Sequence, residues 1–385
     1  MDRASALMDR ARQQTGLDNF GDDGFREGLT VLVNALDREA RLNAMGQAAT
    51  DAQILDLLGN RLQIEDWYAR HPEIDEQEIV APLIGLGLPR TGSTALACLL
   101  GEDPAARSIR TWEASWPCPP PEAATYDSDP RIARMEEGMA QRAHIFPRMT
   151  GMLPSTATSP TECQLFMGAD FKSQIFQPFG AIPSYVDWLF NRADLEPTYL
   201  YVKRILKLLQ WRCPPTRWRL KNPSHSLFIT ALDTVFPDAR FVMTHRDPAS
   251  VIPSVSDVYY ELRKAFTDDL DMVALGEETA AFCELKMRRM IAFRDAGNDH
   301  RFFDIHYAPF QDDPFPALEA LYAFLGEPFT DAARTAMQSW REARPLAAQA
   351  YEKTPMAQFG LDPATLRDRF AFYLDRFGMA PAKVA

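Results

Sequence analysis

Residues 79–94 read IVAPLIGLGLPRTGST. The first ten are almost all apolar, as a strand buried on both faces requires. A turn of small residues follows, and then a helical run, Thr94–Leu100. Strand, turn and helix in that order are how a parallel α/β sheet offers backbone amides to an anion. From Gly87 to Thr94 the spacing is that of a phosphate-binding loop, G-x-x-x-x-G-K-[ST], with Ser93 where the lysine belongs. The glycines still permit the turn, and the amides that open the helix still point at an anion. The missing element is the cation that reaches the outer phosphates of a nucleoside triphosphate. The first lysine in the chain is Lys172, so Arg90 is the loop's own cation. The plainest alternative is a strand-helix turn with no ligand.

Upstream, Phe25, Leu29, Leu32, Val33 and Leu36 recur at helical spacing, and so do Ile54, Leu57, Leu58 and Leu62. Thr50 and Asp51 offer a start for the second of these helices. Residues 1–77 are expected to form an N-terminal helical segment and 78–385 an α/β domain. Downstream, residues 102–215 read as a largely helical or irregular insert facing a substrate, with prolines scattered from Pro117 to Pro160. Short strands are then expected at Trp218–Lys221, Arg240–His245 and Arg301–His306. Each leads into a helical pattern: Ser224–Phe236, a helix from Pro248, and a third running through Leu325. The alternation predicts a mostly parallel sheet flanked by helices, of the phosphate-loop type.

A second cation site follows the strand Arg240–His245, in RFVMTHRDPASVIPS, residues 240–254. Asp247 suits an N-cap and Pro248 a first helical residue. Arg246 therefore falls at the strand's carboxyl end, where ligands of open α/β sheets bind. Ser250 and Ser254 lie four apart on one helical face. An arginine with a helix-borne serine suits a second phosphate group. The bland alternative is a surface Arg246–Asp247 pair with solvated serines.

Composition narrows the partners. Of 385 residues, 46% are hydrophobic and 24% charged, which excludes disordered, collagenous and coiled-coil classes. Lys and Arg total 41 against 53 Asp and Glu, a formal charge of −12, the wrong balance for wrapping nucleic acid or an anionic membrane. The five cysteines, Cys98, Cys118, Cys163, Cys213 and Cys283, are odd in number and unpaired in spacing, as in a reducing compartment. The six histidines make no metal-binding motif. No apolar run approaches transmembrane length, and no signal-peptide core opens the chain, so a cytoplasmic protein is expected.

The loop LPRTGST and the segment FVMTHRDPASVIPS together resemble the sulfotransferases that use 3′-phosphoadenosine 5′-phosphosulfate (PAPS). The resemblance spans roughly Ile79–Phe329 and is closer to the bacterial and tyrosylprotein-type branch than to the cytosolic phenol and steroid branch. It implies that Arg90, Thr91, Gly92, Ser93 and Thr94 hold the 5′-phosphosulfate and that Arg246 and Ser254 hold the 3′-phosphate. It also implies that Tyr307 lies near adenine. Sulfuryl transfer needs an in-line arrangement, cations on the moving sulfonate and a base for the acceptor hydroxyl. Arg90 and Lys221, in Leu220-Lys221-Asn222-Pro223, fit the cationic roles, although Lys221 also reads as an ordinary strand-end lysine. Glu113, in Thr111-Trp112-Glu113, is the expected base, with His225 and Glu162 as competitors. His245 reads as a strand-end residue. No basic C-terminal string appears, and Lys353 is the one candidate there for the 3′-phosphate. The aromatic residues Phe166, Phe171, Phe176, Phe179, Tyr185 and Trp188 read equally as an acceptor pocket or as core. The expected reaction is metal-free transfer from PAPS to the hydroxyl of a small or lipid-like alcohol. A nucleotide kinase and a catalytically silent protein that binds 3′-phosphoadenosine 5′-phosphate (PAP) are the alternatives.

Overall fold

The structure is a computed structural model that describes residues 2–343 and 351–379. Its strands are β1 (Leu83–Leu86), β2 (Arg219–Lys221), β3 (Arg240–His245) and β4 (Phe302–His306). They form one sheet in the order β2-β1-β3-β4, and every neighbouring pair is parallel. The chain therefore leaves β1 for one side of the sheet and returns on the other. That reversal of order between β1 and β3 is where ligands of such sheets bind, beyond the carboxyl ends. The expected α/β class, a mostly parallel sheet flanked by helices, is what the chain adopts.

The central strands β1 and β3 are buried on both faces. Ile84, Leu86, Phe241 and Met243 face the larger core, whereas Leu83, Val242 and Ile305 face a smaller one. This is the alternation that a pleated strand imposes. The smaller core is completed by Leu96, Leu99 and Leu100 of the helix Ser93–Gly101 and by Leu318 and Leu321 of the helix Phe315–Leu325. β1 is shorter than its apolar run. Ala81 has φ 41°, Gly87 has φ 111°, and Pro82 has no amide to donate, so the ladder is confined between them.

Three helical patterns differ from expectation, and the one expected to run through Leu325 is two helices, Tyr307–Asp312 and Phe315–Leu325. The helix Ala44–Arg70 begins earlier than Thr50, because the Asn43 side chain accepts the Gly46 amide at 2.9 Å and caps it. Thr50 lies inside this helix and its hydroxyl donates back to the Gly46 carbonyl at 3.0 Å. The expected helix Ser224–Phe236 is divided into a 3-10 turn, Pro223–Leu227, and a helix, Ile229–Val235, with Phe228 outside helical geometry between them. By contrast, the helix Pro248–Phe266 starts where the sequence places it, with the Asp247 side chain accepting the Ala249 amide at 2.9 Å.

The helices Arg3–Thr15, Phe25–Arg38 and Ala44–Arg70 share the larger core with the sheet. Phe171, Phe176, Tyr185 and Trp188 join that core as a chain of ring contacts with centroids 5.9–6.1 Å apart, and Phe25 meets Phe171 at 6.2 Å. Phe166 is buried too, and Phe179 is half-buried against Phe266. Of the two readings these aromatics allowed, the core accounts for all but Phe179.

Candidate active site

The loop after β1 reaches its shape through two left-handed residues. Arg90 has φ 62° and Gly92 has φ 91°. A Cβ at Gly92 would approach the Tyr307 ring to 3.1 Å, so both conformation and space select glycine there. The Thr91 hydroxyl donates to the Leu88 carbonyl at 2.8 Å and shares a hydrogen bond of 2.6 Å with Thr244 of β3. Thr91 is fully buried, so its side chain braces the loop, and its backbone alone remains to meet a ligand. Ser93 and Thr94 open the helix Ser93–Gly101, whose first amides face the loop's concavity.

The two cation-bearing motifs meet. Arg246 donates to the Arg90 carbonyl at 3.0 Å, and the Arg90 guanidinium donates to the Ser254 hydroxyl at 3.1 Å and to the Met152 carbonyl at 2.7 Å. The Arg246 guanidinium also lies over the Tyr307 ring, 4.2 Å from its centroid. Arg90, Arg246, Ser254 and Tyr307 thus form one cluster beside the loop. Asp247, next in line, caps its helix and also accepts from Arg367 at 2.8 and 3.0 Å. Lys353 is exposed, whereas its neighbours Glu352 and Thr354 face Arg148, which pairs with Asp257 and Glu261.

Lys221 occupies the other end of the loop. Its register partner on β1 is Gly85, whose missing side chain leaves the lysine stem room to lie across the strand. The ammonium sits 3.3 Å from the Thr94 hydroxyl and 3.2 Å from the Glu162 carboxylate. A cation from β2 therefore stands at the first turn of the helix that Ser93 opens. Sequence spacing gives no sign of this, because the donor strand lies far along the chain.

The Sulfotransferase family profile matches residues 82–331, which contain both motifs. The chain belongs to this family. Sulfotransferase STF9 from Mycobacterium avium superposes with a TM-score of 0.91 at 32% identity, over 99% of this chain and 98% of that one. Sulfotransferase STF1 from Mycobacterium tuberculosis H37Rv superposes at 0.86 with 29% identity, over 96% and 99%. The omega-hydroxy-beta-dihydromenaquinone-9 sulfotransferase Stf3 of Mycobacterium bovis is 32% identical over 113 residues, a match that spans 28% of each protein.

The three candidate bases of this sulfotransferase differ in surroundings. Glu113 is fully buried and sits at the third position of the short helix Thr111–Ser115. Its oxygens accept from the Arg107 guanidinium, the Arg110 amide at 3.0 Å and the Tyr126 hydroxyl at 3.0 Å. All these contacts are internal to residues 107–126. His225 is also buried, bonded through Nδ1 to the Tyr199 hydroxyl at 2.9 Å, and burial lowers its pKa to about 3. Glu162 alone of the three is partly open, with a third of its side chain exposed, and it alone touches Lys221. Its position is fixed by backbone: the Cys163 amide donates to the Lys221 carbonyl at 3.2 Å, and the Thr161 amide to Ile109 at 2.8 Å.

His245 is structural, as its strand-end position suggests. Its Nδ1 meets the Tyr373 hydroxyl at 3.0 Å, and its Nε2 meets Asp304 at 2.8 Å. Burial holds its pKa below the usual histidine value against the pull of Asp304. Among the described residues no group of three or more His, Cys, Asp or Glu is arranged to hold a metal ion, and no helix is long and apolar enough to cross a membrane.

Proposed function

We propose that this sulfotransferase moves a sulfuryl group from PAPS to the hydroxyl of a small or lipid-like alcohol. One observation supports the donor: a phosphate loop without its lysine is joined, through Arg90, to a second cationic motif carrying Arg246 and Ser254. A nucleoside triphosphate puts all its phosphates in one row and has no use for that second cluster. A nucleotide phosphorylated at both 5′ and 3′ positions needs two anion sites, and the residues present fit it. The amides from Gly92 to Thr94 would hold the 5′-phosphosulfate, Arg246 and Ser254 the 3′-phosphate, and the Tyr307 ring would lie near the adenine. A lipid-like acceptor is favoured by the mycobacterial relative, whose name gives a hydroxylated menaquinone derivative as its acceptor.

In this reading Lys221 and Arg90 neutralise charge on the sulfonate and on the departing phosphate oxygen. Glu162, rather than Glu113, takes the acceptor proton. A base must reach the acceptor oxygen, and Glu113 has its oxygens enclosed by Arg107, Arg110 and Tyr126, whereas Glu162 stands open beside Lys221. The test is a thermal-shift comparison of PAP, ATP and AMP, followed by turnover with PAPS and a panel of alcohols and phenols. PAP should stabilise most, and Arg246→Ala should remove roughly 10–100-fold of its advantage over AMP, the worth of a charge-assisted contact. Stabilisation by ATP above PAP would overturn the donor assignment. PAP binding without turnover would leave a silent binding protein.

A further inference from the structure

Lys286 lies on the helix Met272–Phe293 and is 3% exposed. Among the described residues its ammonium has no hydrogen bond and no ion pair; its recorded contact is the Phe282 ring, 4.8 Å away. Two other lysines away from the surface are matched: Lys172, equally buried, sits 3.1 Å from Asp170, and the half-buried Lys203 reaches the Val235 carbonyl at 3.2 Å. An unmatched buried ammonium is unfavourable, and burial lowers its pKa to about 8, an effect that Cys283 and Glu162 oppose. Nothing in the packing explains why a lysine stands here.

The surroundings connect it to the transfer site. Glu162 is near enough for its charge to act on both Lys286 and Tyr259, yet it forms no ion pair with Lys286. The same carboxylate touches Lys221. The helix of Lys286 packs against the turn Pro223–Leu227, which directly follows β2, with Arg289 donating to the Leu227 carbonyl at 3.0 Å. It packs as well against the helix Pro248–Phe266, where Tyr259 meets Phe282 at 5.9 Å. Glu162 thus has one lysine at contact and a second, without a hydrogen bond or ion pair among the described residues, within reach of its charge.

We infer that Lys286 is an acceptor-binding residue, whose ammonium donates a hydrogen bond to an oxygen of the alcohol or phenol lying between it and Glu162. The inference rests on the sulfuryl-acceptor reading above, and it adds a residue that recognises the acceptor's polar end. Phe282 and Tyr259 would meet the apolar part.

The test is calorimetric titration of the full chain and of Lys286→Met with 4-octylphenol and with octylbenzene, each with and without saturating PAP. Wild type should bind the phenol roughly 10–100-fold more tightly than the hydrocarbon, as a hydrogen bond to a charged group implies. Lys286→Met should bind both alike and keep its PAP affinity. Its unfolding midpoint should hold or rise by about 1–4 °C, since an apolar side chain of similar size replaces an unpaired charge. A variant that keeps the phenol preference, or a wild type that shows none, overturns the inference. So does a variant whose midpoint falls by more than about 5 °C, which would mark the lysine as structural. Failure of PAP to bind would instead overturn the donor reading, and the titrations without PAP still report on Lys286.

Discussion

Glu113 and Glu162 carry the same functional group, and their neighbours assign them different work. Glu113 compensates Arg107, a guanidinium with 4% residue exposure. Glu113→Gln would leave that charge buried without its counterion, which costs about 3–5 kcal/mol. A marked fall in the thermal midpoint is expected, with turnover per folded molecule retained. Glu162→Gln would remove the proposed base, which is partly solvated and positioned by backbone. It should lower kcat by roughly 10²–10⁴-fold and leave PAP affinity and the melting curve almost unchanged. Stopped assays with PAPS, paired with melts of both variants, check the ranking. An active Glu162→Gln beside a folded but inactive Glu113→Gln would return the base to Glu113.

At the scale of elements, the loop and the helix it opens act as a unit whose shape is set at Gly92. An alanine there meets a left-handed backbone and the Tyr307 ring together. Gly92→Ala should reduce PAP affinity at least tenfold, by calorimetry, while far-ultraviolet circular dichroism stays as in wild type; unchanged affinity would show that the loop does not cradle the ligand. This element and the start of the helix Pro248–Phe266 were the most legible parts of the sequence, because glycine spacing, an apolar strand and an Asp-Pro start are local signals. Lys221 was legible as a strand-end cation, but its place against Thr94 depends on a strand pairing that no local pattern encodes. The aromatic run from Phe166 to Trp188 was ambiguous for the opposite reason: burial of large rings looks alike in a pocket and in a core. Thr50 misled because threonine both caps helices and bonds back within them, and Asn43 supplied the cap instead. Lys286 gave no signal, since one lysine in a helical run is ordinary until its burial is known.

For the whole molecule, two buried histidines set the acid limb of stability. His225 has a folded pKa near 3 and His245 one below its ordinary value, while an unfolded histidine titrates near 6.5. Below about pH 6.5 the unfolded chain takes up protons that the native state refuses, so stability present above that pH is lost on acidification. His225 alone contributes up to about 1.4 kcal/mol per pH unit across this window. Asp304 extends the loss: burial favours its neutral form, yet bonds from Arg294 and His245 hold its pKa below the usual range, so its contribution disappears only below about pH 4. Urea titrations from pH 7 to 4 should show this slope, and His225→Gln should flatten it; an unaltered slope would mean that His225 is not the group refusing the proton. The same scale decides what residues 1–77 are. We propose that they form a helical segment of the sequence that the remainder needs for folding, because Phe25 packs on Phe171 and Arg61 donates to the Phe20 and Ala169 carbonyls. A chain begun at residue 78 should aggregate on expression, and a soluble, PAP-binding one would make the helices an accessory.

The partners around the phosphate loop lie far along the chain: Lys221 is 127 positions beyond Thr94, Arg246 is 156 beyond Arg90, and Ser254 is 164 beyond it. A ribosome that has made the loop has made neither of its cationic neighbours nor the strands that flank β1. The anion site is therefore among the last features a growing chain completes, and long-range parallel pairing of this kind closes slowly. Refolding followed by fluorescence of a bound PAP analogue should recover only in the slowest phase, after far-ultraviolet helix signal has returned; recovery in the early phase would show that the loop shapes itself alone. The consequence is one of timing in the cell. Under the proposed donor assignment, a nascent or half-folded copy has no competent site with which to draw on the donor pool.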